Sequence, residues 1–351
     1  MYMKEGIVTK VTIKDIAKHV GVSAMTVSNV INKRSSRVSA ETVSKIEKAI
    51  VELGYIPDYS ARSLVSKKSK MIGVIIPQTE THKQFLLENP FYSEIVSGIE
   101  SKLREKNYYM MLTGVDKDSS YLDVLINWNL DAAIILGIYQ EGFYEQLKKI
   151  NIPVLLIDSY IHDGYFYNLG IDDLYGGYIA TQHLIEKGHR EIAIITGHLK
   201  KDGVAEKRFL GYRKALDEAD IPFNENYVYA DSVSYECGIT AGQKIVTECK
   251  AVTAVFATAD LIAAGAIASF HAANIKVPDD ISIIGFDNLS ISRMTYPLLT
   301  TVDQKIFDKG MKAANILMDT LKNGNSKIEK DVILDIEIIE RNSVKHIECK
   351  I

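Results

Sequence analysis

The sequence predicts a two-part architecture: a small all-α helix-turn-helix head, then a two-lobed α/β body on doubly wound parallel sheets. Three observations carry that prediction. Residues 1–70 hold 13 Lys+Arg against 6 Asp+Glu, while the rest of the chain holds the other 28 of 41 basic and 39 of 45 acidic residues. A basic head on an acidic body is the asymmetry of a chain that meets phosphate at one end only. Within the head, three short amphipathic segments are punctuated by Gly and Ser. From Met71 onward, short β-branched runs alternate with longer amphipathic stretches, the pattern of parallel sheets covered by helices.

Length and composition bound the rest. The chain has 351 residues, 47% hydrophobic and 25% charged, enough for two or three domains. No run of 18 apolar residues exists, the nearest being 261–270, so a membrane-spanning helix is not expected. The opening MYMKEGIVTKVTIKD lacks the apolar core of a signal peptide, and a cytoplasmic, nucleoid-associated protein is expected. Cys237, Cys249 and Cys349 are scattered and form neither a disulfide framework nor a metal-binding pair. No cofactor and no metal are expected.

In the head, Thr12 and Asp15 form a capping box, followed by Ile13, Ile16, Ala17 and Val20 at helical spacing up to Gly21. Ser23 caps a second helix with Val27, Val30 and Ile31 inward. Ser39 caps a third, with Val43, Ile46, Ile50 and Leu53 inward and Gly54 ending it. Two helices about a tight Gly turn, closed by a third, make a helix-turn-helix whose second helix meets the major groove by its N-terminal end. Ala24, Met25, Ser28 and Asn29 share that helix's outer face; Asn29 suits an adenine edge, Ala24 and Met25 suit thymine methyls. Thr12, Ser23, Thr26, Asn32, Arg37, Ser39 and Thr42 complete the expected DNA surface, chiefly as phosphate contacts at helix starts. Taken singly, Met25 also reads as a surface gap-filler and each hydroxyl as a plain cap. After Pro57, residues 58–65 form a helix-capable linker too short to be stable alone.

Residues 11–77, from VTIKDIAKHVGVSAMTVSNVINKRSSRVS through IPDYSARSLVSKKSKMIGVIIP, resemble the N-terminal signature of the LacI/GalR family of bacterial transcription regulators. The resemblance implies that the linker becomes a hinge helix in the DNA minor groove. It also implies that Leu64 wedges between base steps of a palindromic operator with Ala61 and Arg62 beside it, a device that kinks DNA.

In the body, strands are expected at 72–76, 109–113, 132–136, 154–157, 192–196, 254–257 and 281–285. Helices are expected at 91–106, 175–187, 208–219, 235–248 and 261–274. Ligands of such sheets bind beyond the carboxyl ends of strands. The segments NPFYSEIVSGIE, GIDDLYGGYIATQHLIEKGHREIAIITG, KRFLGYRKAL, TADLIAAGAI, VPDDISIIGFDN and YPLLTTVDQ also match the family. They resemble its effector domain, itself similar to periplasmic sugar-binding proteins. That resemblance implies two lobes joined by three crossovers, expected near 158–163, near 288–292 and near Asn323.

The effector site is expected from Asn89, Phe91, Tyr92, Arg208, Asp260, Asp287 and Gln304. Aromatic faces stack on rings, a guanidinium forks to vicinal hydroxyls or a carboxylate, and carboxylates accept ligand hydroxyls. Adjacent Phe91 and Tyr92 should face apart, one into the core. Arg208 alternatively serves an interlobe ion pair, and Asp260 a helix cap. The chain departs from the family pattern at Ala259, at Ser232 where relatives place an aromatic residue, and in a long loop over 79–88.

No GxxxxGK[ST], HExxH or GxSxG motif occurs, nor a GxGxxG after the first strand, so no enzyme is expected. His183 and His189 flank a helix end. The domains read as 10–57 DNA-binding, 58–70 hinge, and 71–351 effector-binding and dimerisation. The function expected is a homodimeric repressor on a palindromic operator, controlled by a sugar or sugar phosphate. The alternatives are a purine or a phosphocarrier protein as effector and, remotely, a sugar-processing enzyme with a DNA-binding head. No leucine heptads follow the body, so no tetramer is expected.

Overall fold

A computed structural model describes residues 10–34, 36–56, 68–78, 86–116, 125–137, 142–161, 164–324 and 329–348, with backbone alone at 142–143 and at 3–4 and 7–8. The linker 58–65 with Ala61, Arg62 and Leu64, residues 79–85 of the long loop, and Cys349 lie outside the described residues.

The chain divides into two units, Met1–Ser69 and Lys70–Ile351. In the first, Met3–Lys4 (β1) pairs antiparallel with Ile7–Val8 (β2). Three helices follow, each beginning where the sequence supplies a cap. The Thr12 backbone N–H and hydroxyl both donate to the Asp15 carboxylate, at 2.8 and 2.7 Å, opening α1 (Ile13–Val20). That helix ends at Gly21 with φ 76°, a left-handed cap. Ser23 Oγ accepts from Thr26 N at 3.1 Å and opens α2 (Ala24–Ile31); Ser39 Oγ accepts from Thr42 N at 3.3 Å and opens α3 (Ala40–Glu52). Ile16, Ala17, Val27, Val30, Ile46 and Ala49 close the core.

The second unit holds two six-stranded sheets. The first lobe uses β3 (Met71–Gln78), β4 (Tyr109–Asp116), β5 (Ala132–Leu136), β6 (Val154–Ile157) and β7 (Tyr167–Ile171). The second uses β8 (Ile192–Gly197), β9 (Val228–Asp231), β10 (Ala254–Ala257), β11 (Ser282–Asp287) and β12 (Thr300–Asp303). Strands β13 (Asp331–Leu334) and β14 (Glu337–Ile339) add one edge to each, giving orders β13-β7-β6-β5-β3-β4 and β14-β12-β11-β10-β8-β9. Every pairing is parallel except β12 with β14.

Helices cover both sheets. In the first lobe α4 (Pro90–Glu105) packs on one face, and α5 (Gly142–Leu147) contributes Tyr144 and Leu147 to the other. In the second, α6 (Asp173–Glu186) and α7 (Val204–Glu218) cover one face, α8 (Tyr235–Glu248) and α9 (Asp260–Ala272) the other. The long α10 (Ile306–Asn323) follows the second lobe's β12 but buries Ala313, Ala314, Ile316 and Leu317 against the first lobe.

The chain therefore crosses between lobes at 171–173, 303–306 and 334–337. This corrects the crossovers expected near 158–163, 288–292 and Asn323. After β6 the chain makes one more first-lobe strand before leaving, and residues 288–292 lie in the connection from β11 to β12, both second-lobe strands, entering a short 3-10 helix, Ser290–Arg293, while Leu289 and Ile291 pack on the first-lobe core. Among the described residues, no helix is long and apolar enough to cross a membrane.

Candidate functional site

Two sites were expected, one in each unit. In the head, the outer face of α2 carries exposed Ala24 and Met25, the latter 70% exposed, with Ser28 and Asn29 half-buried beside them. Among the described residues the Asn29 side chain has no hydrogen-bond partner and exposed Arg37 has no ion-pair partner. Most of the hydroxyls are committed locally. Ser23 and Thr26 share a 2.8 Å bond, as do Ser39 and Thr42, and the Thr12 hydroxyl is spent on Asp15. Asn32 closes α2, its Nδ2 donating to Ser28 O at 2.8 Å and to Ser28 Oγ at 3.3 Å. Of the residues expected at the DNA, Asn29 and Arg37 keep uncommitted donors among the described residues, and Ala24 and Met25 present exposed apolar groups.

In the body, the carboxyl ends of strands from both sheets converge on one cavity of about 190 Å³. Pro77, Leu136 and Ile157 come from the first sheet; Gly197, Thr258 and Asp287 come from the second. This is where ligands of open parallel sheets bind, in the crevice beyond the carboxyl ends of the strands. Asn89, Phe91, Tyr92, Arg208, Asp287 and Gln304 all line it; Asp260 does not.

Asn89 caps α4, its Oδ1 accepting from Phe91 N at 3.0 Å. Phe91 and Tyr92 meet edge to face, centroids 5.6 Å apart. Both line the cavity while leaning on the first-lobe core, which corrects the expectation that they face apart. They sit in the first turn of a helix whose end points at the cavity, so neighbouring positions both reach it.

Arg208 is buried. Its Nε donates to Asp173 Oδ1 at 2.7 Å and its Nη1 to Thr258 O at 2.6 Å, with Asp287 Oδ1 3.6 Å away. The guanidinium lies 3.6 Å from the centroid of Phe286, a stacking geometry favourable to a planar cation. Burial opposes its charge, but Asp173 and then Asp287 outweigh it and hold its pKa above the ordinary value. Asp287 ends β11 with φ 115°, a backbone geometry that costs on the order of 1–3 kcal/mol and clusters at functional sites. Burial pushes its carboxyl up to about 7, against the pull of Arg208, Gln304 and Lys309. Gln304 Nε2 donates to Asp287 Oδ1, and its Oε1 accepts from Lys309 Nζ at 2.6 Å.

Asp260, expected in the cleft, has another task. It opens α9 behind N-cap Ala259, and its fully buried carboxylate accepts from Thr301 Oγ1 at 2.6 Å and Leu289 N at 2.8 Å. First-turn helical side chains lean back past the helix N-terminus, here onto the strand ends, where Asp260 fixes the turn that follows Asp287. At the departure noted near Ser232, the cavity is walled by Val233 instead.

The sequence reading missed Asp158, Lys309, Asp173 and Tyr160. Asp158 directly follows β6, lines the cavity and receives Lys309 Nζ at 2.8 and 3.2 Å; the strand-end rule that flagged Asp287 also fits it. Burial raises its pKa and Lys309 opposes that. Lys309 is fully buried on the apolar stripe of α10, and a lysine in phase with Ala313, Ile316 and Leu317 was a legible anomaly. At the rim stand exposed His198, half-buried Lys200, and Val204 and Ala205 of α7.

Residues 12–58 match the model of bacterial regulatory proteins of the lacI family, and residues 181–344 match a periplasmic binding protein-like domain. Over 343 residues the chain is 36% identical to the HTH-type transcriptional repressor PurR of Actinobacillus pleuropneumoniae serotype 3, covering 96% of this chain and 99% of that protein. The chain belongs to the LacI family. As a LacI-family protein it is a DNA-binding transcriptional regulator with an effector domain. The lac repressor dimer bound to operator and an anti-inducer superposes with a TM-score of 0.84 at 25% identity, covering 96% of this chain and all of that one. The transcriptional regulator CelR in complex with cellobiose gives 0.70 at 27% identity, covering 95% and 100%. Within the family frame, α2 of the head and the cleft of the body are the two candidate sites of this regulator.

Proposed function

We propose that this LacI-family regulator represses transcription as a homodimer on a palindromic operator, and that a small neutral polyhydroxylated ring in the interlobe cleft controls it. The observation that carries the effector reading is the convergence of Asp158, Asp287, Arg208, Gln304 and Asn89 beside Phe91 and Tyr92. Carboxylates accept hydroxyl donors, the guanidinium and amides serve the remaining oxygens, and aromatic edges cover the apolar face. A cavity of about 190 Å³ lies below the roughly 300–1,000 Å³ of ordinary ligand pockets, so the occupant is about one ring in size. The cellobiose complex of CelR supports a carbohydrate; the paired aromatic rings also suit a planar purine, which is the second reading.

In the head, Ala24, Met25 and Asn29 read bases, Arg37 holds a phosphate directly, and Thr12, Ser23, Ser39 and Thr42 position phosphates by exchanging their local hydroxyl bonds. Residues 10–57 serve as the DNA-binding domain, 58–70 as hinge and 71–351 as effector and dimerisation domain. The work is regulatory, not enzymatic, and belongs at the nucleoid. The test is calorimetry of the full chain with D-glucose, D-ribose, cellobiose, adenine and hypoxanthine, beside operator affinity in the presence of each. A monosaccharide is expected to bind wild type and to fail with Asp287→Ala. Binding of a purine alone would select the second reading, and undiminished binding by Asp287→Ala would move the site elsewhere.

A further inference from the structure

Seven side chains around the cleft floor link through both lobes in a polar ring that closes only along the backbone between Asp158 and Tyr160. Asp158, directly after β6 in the first lobe, is held by Lys309 on α10. Lys309 also donates to Gln304, 2.6 Å away, which lies in the crossover at 303–306. Because the Gln304 carbonyl oxygen is taken by Lys309, its amide nitrogen is aimed at Asp287 in the second lobe. Asp287 faces Arg208 at 3.6 Å, Arg208 donates to Asp173 at 2.7 Å, and Asp173 stands just past the crossover at 171–173. The Tyr160 hydroxyl then donates to Asp173, returning the ring to the first lobe two residues from Asp158.

Two properties make this ring more than a fold staple. Asp158, Arg208, Asp287 and Gln304 line the cavity, whereas Lys309, Tyr160 and Asp173 do not. It also pins two of the three crossovers, where a change of angle between the lobes has to be absorbed. A hydroxyl donated to Asp287 or Asp158 competes with the donors that hold the ring closed, so cleft occupancy and interlobe angle draw on the same lone pairs.

We propose that Lys309 and Tyr160 are positioning residues of the effector response: they touch no effector, and they transmit cleft occupancy to the angle between the lobes. The inference rests on the effector reading above. An effector that couples to a second site shifts its affinity on the order of 5–150-fold, and that ratio is the quantity to follow.

The experiment uses the full chain and an operator obtained by selection from random duplexes. D-ribose, D-glucose and hypoxanthine serve as probes, and wild type is compared with Tyr160→Phe, Lys309→Met and Lys309→Arg. Probe affinity is read by calorimetry, operator affinity with and without probe by fluorescence anisotropy, and folding by thermal melting. Tyr160→Phe deletes one hydroxyl and keeps the packed ring, so it remains informative where Lys309→Met fails to fold. The expected result in Tyr160→Phe is probe affinity within a few-fold of wild type with the operator ratio falling to about one; Lys309→Met, which also releases Asp158 and Gln304, loses the ratio whatever its probe affinity, and Lys309→Arg partly restores it. A wild-type ratio in Tyr160→Phe overturns the proposal, as does joint loss of probe affinity and ratio in Tyr160→Phe, which marks a structural role alone. If no probe binds wild type, the effector reading itself fails and this inference falls with it.

Discussion

Asp287 concentrates the physics of the site in one residue. It sits at φ 115°, accepts from Gln304, faces Arg208 and is 6% exposed, with its carboxyl pushed up to about 7 by burial. An unfolded aspartate titrates near 3.9, so between about pH 4 and 7 the native chain keeps a proton that the unfolded chain releases. The resulting stability is fully present below pH 4 and is lost as pH rises through 7. Burial raises Asp158 and Asp260 in the same direction. His189 works oppositely: buried between Thr253 and the Lys345 carbonyl, it is pushed down to about 4, so its contribution is present above pH 6.5 and lost as pH falls toward 4. Asp287→Asn is expected to remove part of the neutral-side loss, on the order of a few kcal/mol at most. Thermal melts of wild type and variant at pH 5 and pH 8 check this; equal slopes for the two proteins would show that Asp287 is ionised throughout.

At the scale of elements, helix pairs bring the site residues together by touching backbone to backbone. A Cβ on Gly177 of α6 would stand 2.1 Å from the Arg208 carbonyl oxygen of α7, and one on Gly98 of α4 would stand 2.1 Å from that of Phe307 in α10. The first approach seats Arg208 against Asp173; the second seats α10, and with it Lys309, on the first lobe. Gly177→Ala must push α7 outward, an overpacking cost of about 1–3 kcal/mol, and is expected to weaken the binding of any effector that Arg208 holds. Urea unfolding together with probe calorimetry tests it, and a variant with wild-type midpoint and affinity would mean the helices part at no cost. The elements most legible in sequence were fully buried strands and one helix with a sharply divided buried and exposed face. The strands at 132–136, 154–157 and 254–257 and the helix at 235–248 coincide with β5, β6, β10 and α8. The strands missed in the body were β7, β9, β12, β13 and β14, where Tyr, Asn, Thr and Asp interrupt the apolar run or half-exposed edges carry little pattern, and in the head the short β1 and β2 were missed too. The amphipathic α10 was passed over altogether.

For the whole molecule, the strand that ends in Asp287 runs on through Asn288 and the 3-10 turn Ser290–Arg293 to Met294, Tyr296 and Leu298, which are 77%, 86% and 42% exposed. Arg341 ties this turn back to the lobe, donating to Asn288 Oδ1 at 2.6 Å and Ser292 Oγ at 3.1 Å. A contiguous apolar patch would mark an interaction surface, and the homodimer proposed above needs one. A two-fold axis through such a patch would join two copies of the body into the proposed homodimer. Tyr296→Asp is expected to shift sedimentation from dimer toward monomer and to weaken operator binding; an unchanged dimer would place the two-fold elsewhere. Because the patch continues the cleft's own strand, a change at Asp287 has a short covalent route to it.

The sequence by itself determined the division of charge, the three capped helices of the head, the alternation that makes two parallel sheets, and the strand-end position of Asp287. These are local or periodic properties, set by caps, by spacing and by burial of one face, and they survive reading in one dimension. Only the tertiary structure decided where the chain changes lobes, that Asp260 braces a turn instead of lining the cleft, and that Lys309, Gln304 and Tyr160 close a ring with residues up to 151 positions away. Such contacts depend on which strand ends the crossovers bring together, and no periodicity encodes that juxtaposition. The net charge of −4 belongs to neither half of this molecule; the fold keeps a basic head and an acidic body as separate units.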